Sequence, residues 1–152
     1  MTVDPVTVAE FLRAGGRPDA SCDVRRIGTD ANMVRLIIER IATGEKTMTY
    51  SLPWLREHTG QPDPAPGRLV VALDAAGAPA LLLELTRIKH LSFGEVTEAD
   101  IAEEGIPMRD IKAWRPLHTT VWNEKLAPLG RSVSDDMPVT AEYFKLIYGQ
   151  DR

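Results

Sequence analysis

Gly44-Glu45-Lys46-Thr47-Met48-Thr49-Tyr50-Ser51 is the stretch in which the chain changes its hydrophobic period. Upstream of it, Val34, Ile37, Ile38 and Ile41 recur at helical spacing behind Asp30, which can cap the helix, and Gly44 supplies a left-handed exit. Downstream of Lys46 that spacing is lost, and threonines with Tyr50 predict a strand or extended segment to Ser51. Lys46 and Thr49 therefore sit at an element boundary. Gly44-Glu45-Lys46-Thr47 is not a phosphate loop, because the earlier glycine, the Gly-Lys adjacency and the following helix are all missing.

Toward the N-terminus, Asp4-Pro5 followed by Val8, Phe11 and Leu12 on one face predicts a short amphipathic helix, stopped by Gly15-Gly16. Toward the C-terminus, Pro53, Pro62, Pro64 and Pro66 with Gly60 and Gly67 predict a loop around at most one helical turn. Leu69 to Asp74 and Pro79 to Lys89 flank Ala75-Ala76-Gly77 and read as a β-hairpin. Thr97 and Asp100 form a capping-box pattern for a short helix that ends at Gly105, with Glu104 as its last residue. Ile111, Trp114, His118 and Val121 share a helical face, although Pro116 predicts a kink or a late start. Val139 to Tyr148 alternates as a closing strand. With no regular alternation of strand and crossover helix, these elements predict an α+β fold with a mainly antiparallel sheet, compatible with a small barrel.

The 152 residues suffice for one domain with a continuous core, and 43% hydrophobic with 26% charged residues is the balance of a globular chain. No apolar stretch approaches the roughly 20 residues needed to span a bilayer, so no membrane partner is expected. The first 16 residues contain Asp4 and Glu10 and do not read as a secretory signal, and Cys22 is the only cysteine; a cytoplasmic location is expected. Cys22 itself reads as a buried or incidental thiol. A net charge of −4 argues against a protein that coats duplex nucleic acid, yet leaves room for a local basic cleft that takes a nucleoside, a nucleotide or a single strand. His58, His90 and His118 show no metal-ligand spacing, so no resident cofactor or built-in metal is expected. A loosely held Mg²⁺ or Mn²⁺ at Asp74, Glu103 or Glu104 stays open.

In their order, the apolar helix, Gly44 to Thr49, Ser51-Leu52, the proline-rich loop, the hairpin, Glu103-Glu104-Gly105, Trp114-Arg115, His118 and Glu142-Tyr143-Phe144 resemble the ASCH family. The resemblance covers roughly three quarters of the chain, as one domain of ordinary size. It implies an ASCH domain over residues 31–150 behind an N-terminal helical extension, residues 1–30. The implied fold is a small PUA-like β-barrel flanked by helices, with a cleft beside the Gly-x-Lys-x-x-Thr segment. Lys46 and Thr49 would face that cleft with Glu104 opposite them, and Glu103 is the competing choice of carboxylate. Members of this family are associated with RNA: some resemble amidohydrolases of N4-acetylcytidine, others ribonucleases. Two features depart from the pattern, namely Ile106-Pro107-Met108 where further acidic residues often follow, and Pro116 after Trp114-Arg115.

The residue types suit that chemistry. Burial favours the neutral amine of a lysine, which would let Lys46 take a proton from the Thr49 hydroxyl as it attacks an acyl carbon. Glu104 would protonate the leaving amine of a cytosine-like ring and then activate water. Gly44, Thr47 and Ser51 lie beside this triad as ligand contacts, Arg115 suits a phosphate or carboxylate, and Trp54 or Tyr143 a stacked base. Trp114 and Trp122 read more as core residues than as stacking platforms, and His118 as a structural histidine. Three functions are thus set against one another: hydrolysis of an acylated cytosine nucleoside, non-catalytic binding of a nucleotide or single-stranded RNA, and metal-assisted ribonuclease action. The oligomeric state is open.

Overall fold

A computed structural model describes residues 3 to 149. Helix α1 (Pro5–Ala14) starts at the Asp4 carboxylate, which accepts from the Val6 N–H at 3.0 Å, and carries proline in its first turn where no N–H is needed. Strand β1 (Cys22–Arg25) leads to helix α2 (Ala31–Ala42), capped by Asp30 accepting from the Met33 N–H at 2.8 Å. Gly44, at φ +84°, turns the chain out of α2 into strand β2 (Met48–Ser51), as the change of period predicts.

Helix α3 (Pro53–Thr59) is longer than the single turn expected of this stretch. Pro53 occupies the first turn, where proline is favoured, and the remaining prolines all lie beyond the left-handed Gly60 cap. The hairpin of β3 (Leu69–Leu73) and β4 (Pro79–Ser92) follows, then a 3-10 turn at Phe93–Glu95 and another at Glu98–Ile101. The latter has the expected capping box, in which Asp100 accepts from the Thr97 N–H at 2.9 Å. It ends at Ile101, so Glu104 is not a helical residue but sits in the turn beyond. Helix α4 (Ile111–Leu126) starts ahead of Pro116 rather than after it, because the carbonyl that Pro116 leaves unmatched belongs to the exposed Lys112 and can face water. Strand β5 (Pro138–Gly149) closes the chain.

The five strands form one sheet in the order β1-β3-β4-β5-β2, with β1 parallel to β3 and every other pairing antiparallel. The fold is α+β as expected, but the sheet does not close into a barrel: among the described residues, β1 and β2 remain its two edges. It curls nonetheless, since Arg25 on β1 reaches Glu142 on β5 at 2.7 Å, across the positions of β3 and β4. Residues that follow β1 and residues of β2 line a common cavity, which therefore occupies the gap where closure would fall.

Three apolar clusters fix the layers. Val34, Ile38 and Ile41 of α2 pack on Val70, Leu83, Leu85 and Phe144, each fully buried side chain contributing about 1.5–3 kcal/mol. Leu12 of α1 covers Leu69, Val71, Leu73 and Leu82. Trp114, Trp122 and Leu126 of α4 join Leu52, Phe93, Ile101 and Val139. Among the described residues, no helix is long and apolar enough to cross a membrane.

Candidate functional site

Lys46 leaves α2 with its N–H donated to the Arg40 carbonyl at 3.1 Å, and its side chain turns inward. There its Nζ donates to Glu104 Oε1, while Trp114 Nε1 donates to Glu104 Oε2 at 2.9 Å. The Arg109 guanidinium straps the turn, donating to the Glu104 carbonyl and the Glu45 carbonyl at 2.6 Å each. An ion pair this buried persists because both carboxylate oxygens are satisfied. Glu103 faces outward and accepts from the Thr47 hydroxyl at 2.6 Å, so Glu104 is the carboxylate that faces inward.

Thr49 and Ser51, two apart on β2, project to one face, and Met48 between the boundary and Thr49 points into the core. Together with Lys46 and Glu104 they line a cavity of about 230 Å³ that continues to His118 and Trp122 on α4. A second cavity of about 280 Å³, walled further by Leu36 and Met108, shares Met33, Ile37, Leu117, Lys46, Glu104 and His118 with the first, so the ion pair forms part of the wall between them. His118 stacks on Trp114 with ring centroids 4.3 Å apart, and its Nδ1 lies 2.7 Å from the Trp114 carbonyl. Donation from Nδ1 to that carbonyl leaves Nε2 as an acceptor. Burial pushes the His118 pKa down, against the pull of the Glu104 charge and the Trp114 carbonyl, while Lys46 and Lys125 add to the depression. A larger space of about 640 Å³ opens between α1 and β1, but its walls are mostly apolar, with Arg26 and Asp74 as its charged lining, and it holds none of the candidate triad.

Lys46, Thr49, Glu104 and Ser51 are thus brought to one cavity. The other candidates are not. Arg115 donates to the Phe93 carbonyl at 2.8 Å and the Val96 carbonyl at 2.7 Å, pinning α4 to a 3-10 turn. Trp54 faces an outer groove beneath the Arg131 guanidinium, and Tyr143 is buried with Met48 and Ala141 under Arg87. Gly44 and Thr47 line a separate depression beside Phe144. Asp74 accepts from the Ala76 and Ala78 N–H groups in the hairpin turn, away from Glu103 and Glu104. Among the described residues, no three His, Cys, Asp or Glu side chains are grouped to hold a metal.

Two charged residues, one lining the cavity and one beside it, were not singled out as site residues by the sequence reading. Arg56 of α3 is buried, donating to Ser51 Oγ at 2.7 Å and Thr140 Oγ1 at 3.2 Å. Glu142, the cross-strand partner of Thr49, is fully buried; Oε1 accepts from Arg25, and Oε2 has no hydrogen-bond partner among the described residues. The one available signal was a charged residue at the centre of an otherwise apolar and aromatic strand, Ala141-Glu142-Tyr143-Phe144.

The family model described as ASCH domain matches residues 25–148. The chain is similar to an ASCH domain crystal structure from Lactobacillus crispatus, with a TM-score of 0.83, 21% identity, and 97% of this chain and 98% of that one covered. It is also similar to a crystal structure from Enterococcus faecalis, with a TM-score of 0.81 and 22% identity over 93% of this chain and 85% of that one. At such identities the likeness shows the fold alone. No curated protein matches the chain.

Proposed function

The chain belongs to the ASCH domain family, and from that premise we propose that its cleft hydrolyses the exocyclic amide of an acylated cytosine nucleoside. The observation that carries this reading is the buried Lys46–Glu104 pair, oriented by Trp114, in the wall of the cavity that Thr49 also lines. A threonine hydroxyl, an amine and a carboxyl at one small cavity are the parts that acyl transfer needs. A volume of about 230 Å³ suits one nucleoside rather than a strand.

For the amine to act, the Lys46 proton first passes to Glu104 Oε1 along the hydrogen bond that joins them. Lys46 Nζ accepts the hydroxyl proton as Thr49 Oγ1 bonds to the acyl carbon. The C–N bond breaks as Glu104 gives its proton to the leaving nitrogen, which departs as the amine of cytidine. Water then adds to the Thr49 ester, losing a proton to the Glu104 carboxylate, and the acid leaves as Thr49 regains the proton from Lys46. Trp114 keeps Glu104 aimed throughout, through the oxygen that Lys46 does not use.

The test is turnover of N4-acetylcytidine by wild type and Thr49→Ala, with circular dichroism of both. Thr49→Ala is expected to keep its fold and lose turnover by about 100-fold or more. A wild type that binds the nucleoside without cleaving it would overturn the hydrolase and leave a binding module.

A further inference from the structure

Although the chain carries a net charge of −4, the cavity beside Thr49 is lined by Arg25, Arg26, Lys46, Arg56 and Lys125 against a single carboxylate, Glu104. Two of these cations are accounted for. Lys46 is matched by Glu104, and Arg25 by Glu142 and Asp23. Arg26 and Lys125 have no carboxylate partner among the described residues. Arg56 is the most telling: its side chain is 8% exposed, and among the described residues its one carboxylate partner is Asp63 at 3.4 Å, itself 89% exposed. Its closer partners are the neutral hydroxyls of Ser51 and Thr140.

A buried guanidinium whose one counter-charge is a solvent-exposed carboxylate is only partly compensated, and an anion bound in the cavity would complete it. Focused positive charge in an acidic protein is the means by which a cleft selects an anionic ligand. We infer that the basic lining of this cavity binds the 5′-phosphate of a single nucleotide, so that the substrate is an acylated cytidine monophosphate rather than the free nucleoside. Ser51, which orients Arg56, is two residues from Thr49 on the same face of β2, about 7 Å along the strand. A ribose fills that interval, with the base amide at Thr49 and the phosphate at Arg56, while Arg26 and Lys125 in the same lining add to the positive potential. Arg115 does not serve this role, since backbone carbonyls hold its guanidinium.

The inference rests on the proposed function for the placement of the base, and the experiment separates the two. Calorimetric titration of the full chain at low salt would compare cytidine, cytidine 5′-monophosphate, a short cytidine oligonucleotide and inorganic phosphate. The monophosphate is expected to bind at least about tenfold more tightly than cytidine, through charge-assisted bonds. Inorganic phosphate should compete with the monophosphate and not with cytidine. The double substitution Arg26→Ala with Lys125→Ala, both exposed residues, should bring the affinity ratio toward one, as should Arg56→Gln if it folds. Equal affinities for cytidine and its monophosphate, or a ratio unmoved by the double substitution, would overturn the phosphate site while the proposed function stood. Affinity that climbs with oligonucleotide length would replace the single nucleotide with a strand, and binding of none of these ligands would remove both readings.

Discussion

Lys46 and Glu104, 58 positions apart in the chain, form an ion pair in which neither side chain exposes more than 8% of its surface. Removing one partner strands the other in the interior. Glu104→Ala is therefore expected to cost about 3–5 kcal/mol in urea denaturation, because it leaves the Lys46 ammonium and the Trp114 indole N–H unmatched. The double substitution Lys46→Met with Glu104→Leu should recover most of that loss and remain inactive. Equal instability of the single and double variants would show that the pair is not the source of the cost.

His118 gives the fold a pH dependence of definite sign. Burial is the main cause of its lowered pKa, and Glu104, Lys46 and Lys125 are the charges that reach it. The unfolded chain, with histidine near the ordinary value of about 6.5, binds the proton more readily than the folded one. Stability is thus fully present above that value and falls as pH drops from it toward the folded pKa. His118→Gln should flatten the slope of the urea midpoint between about pH 7 and pH 5, and an unchanged slope would assign it to other groups.

What the sequence disclosed was local. Asp30, Thr97 with Asp100, and Gly44 act on neighbours within a few positions, and each makes the bond or turn that its type and spacing predict. Strand β1 was invisible because Cys22-Asp23-Val24-Arg25 is short and half charged, and its charges are answered 45 and 117 positions away, by Arg68 and Glu142. Arg115 looked like an anion ligand until the carbonyls of Phe93 and Val96 were seen to occupy it. Arg56, hidden in a proline-rich stretch read as a loop, gained its place from Ser51 and Thr140. The distant partners, rather than the residue types, decided which charges face the cleft.

A chain beginning at Ala31 tests how far the first thirty residues are separable. It would lack β1, which pairs with β3 from Cys22 to Arg25, and Leu12, which covers Leu69, Val71, Leu73 and Leu82. Such a chain is expected to lose cooperative thermal unfolding and the chemical-shift dispersion of a folded domain, because an apolar face and a sheet edge are uncovered together. A sharp melting transition with dispersed amide resonances would show that residues 31 onward fold alone.

The pair of Arg25 and Glu142 should respond unequally to loss of either member. Arg25 has Asp23 as a second partner at 3.5 Å and is 19% exposed, so water and a carboxylate remain when Glu142 is neutralised. Glu142 exposes nothing, and Arg25 is its only hydrogen-bond partner among the described residues. Arg25→Ala is therefore expected to lower stability by about 3 kcal/mol, a fall in Tm of about 6–12 °C for a chain of this size. Glu142→Gln, which keeps the shape and removes the charge, should cost clearly less, and combining it with Arg25→Ala should be milder than Arg25→Ala alone. Differential scanning calorimetry of the three variants reads this directly. If the two single substitutions cost the same, the buried charge of Glu142 is not what Arg25 stabilises, and the link across the curled sheet is one of packing alone.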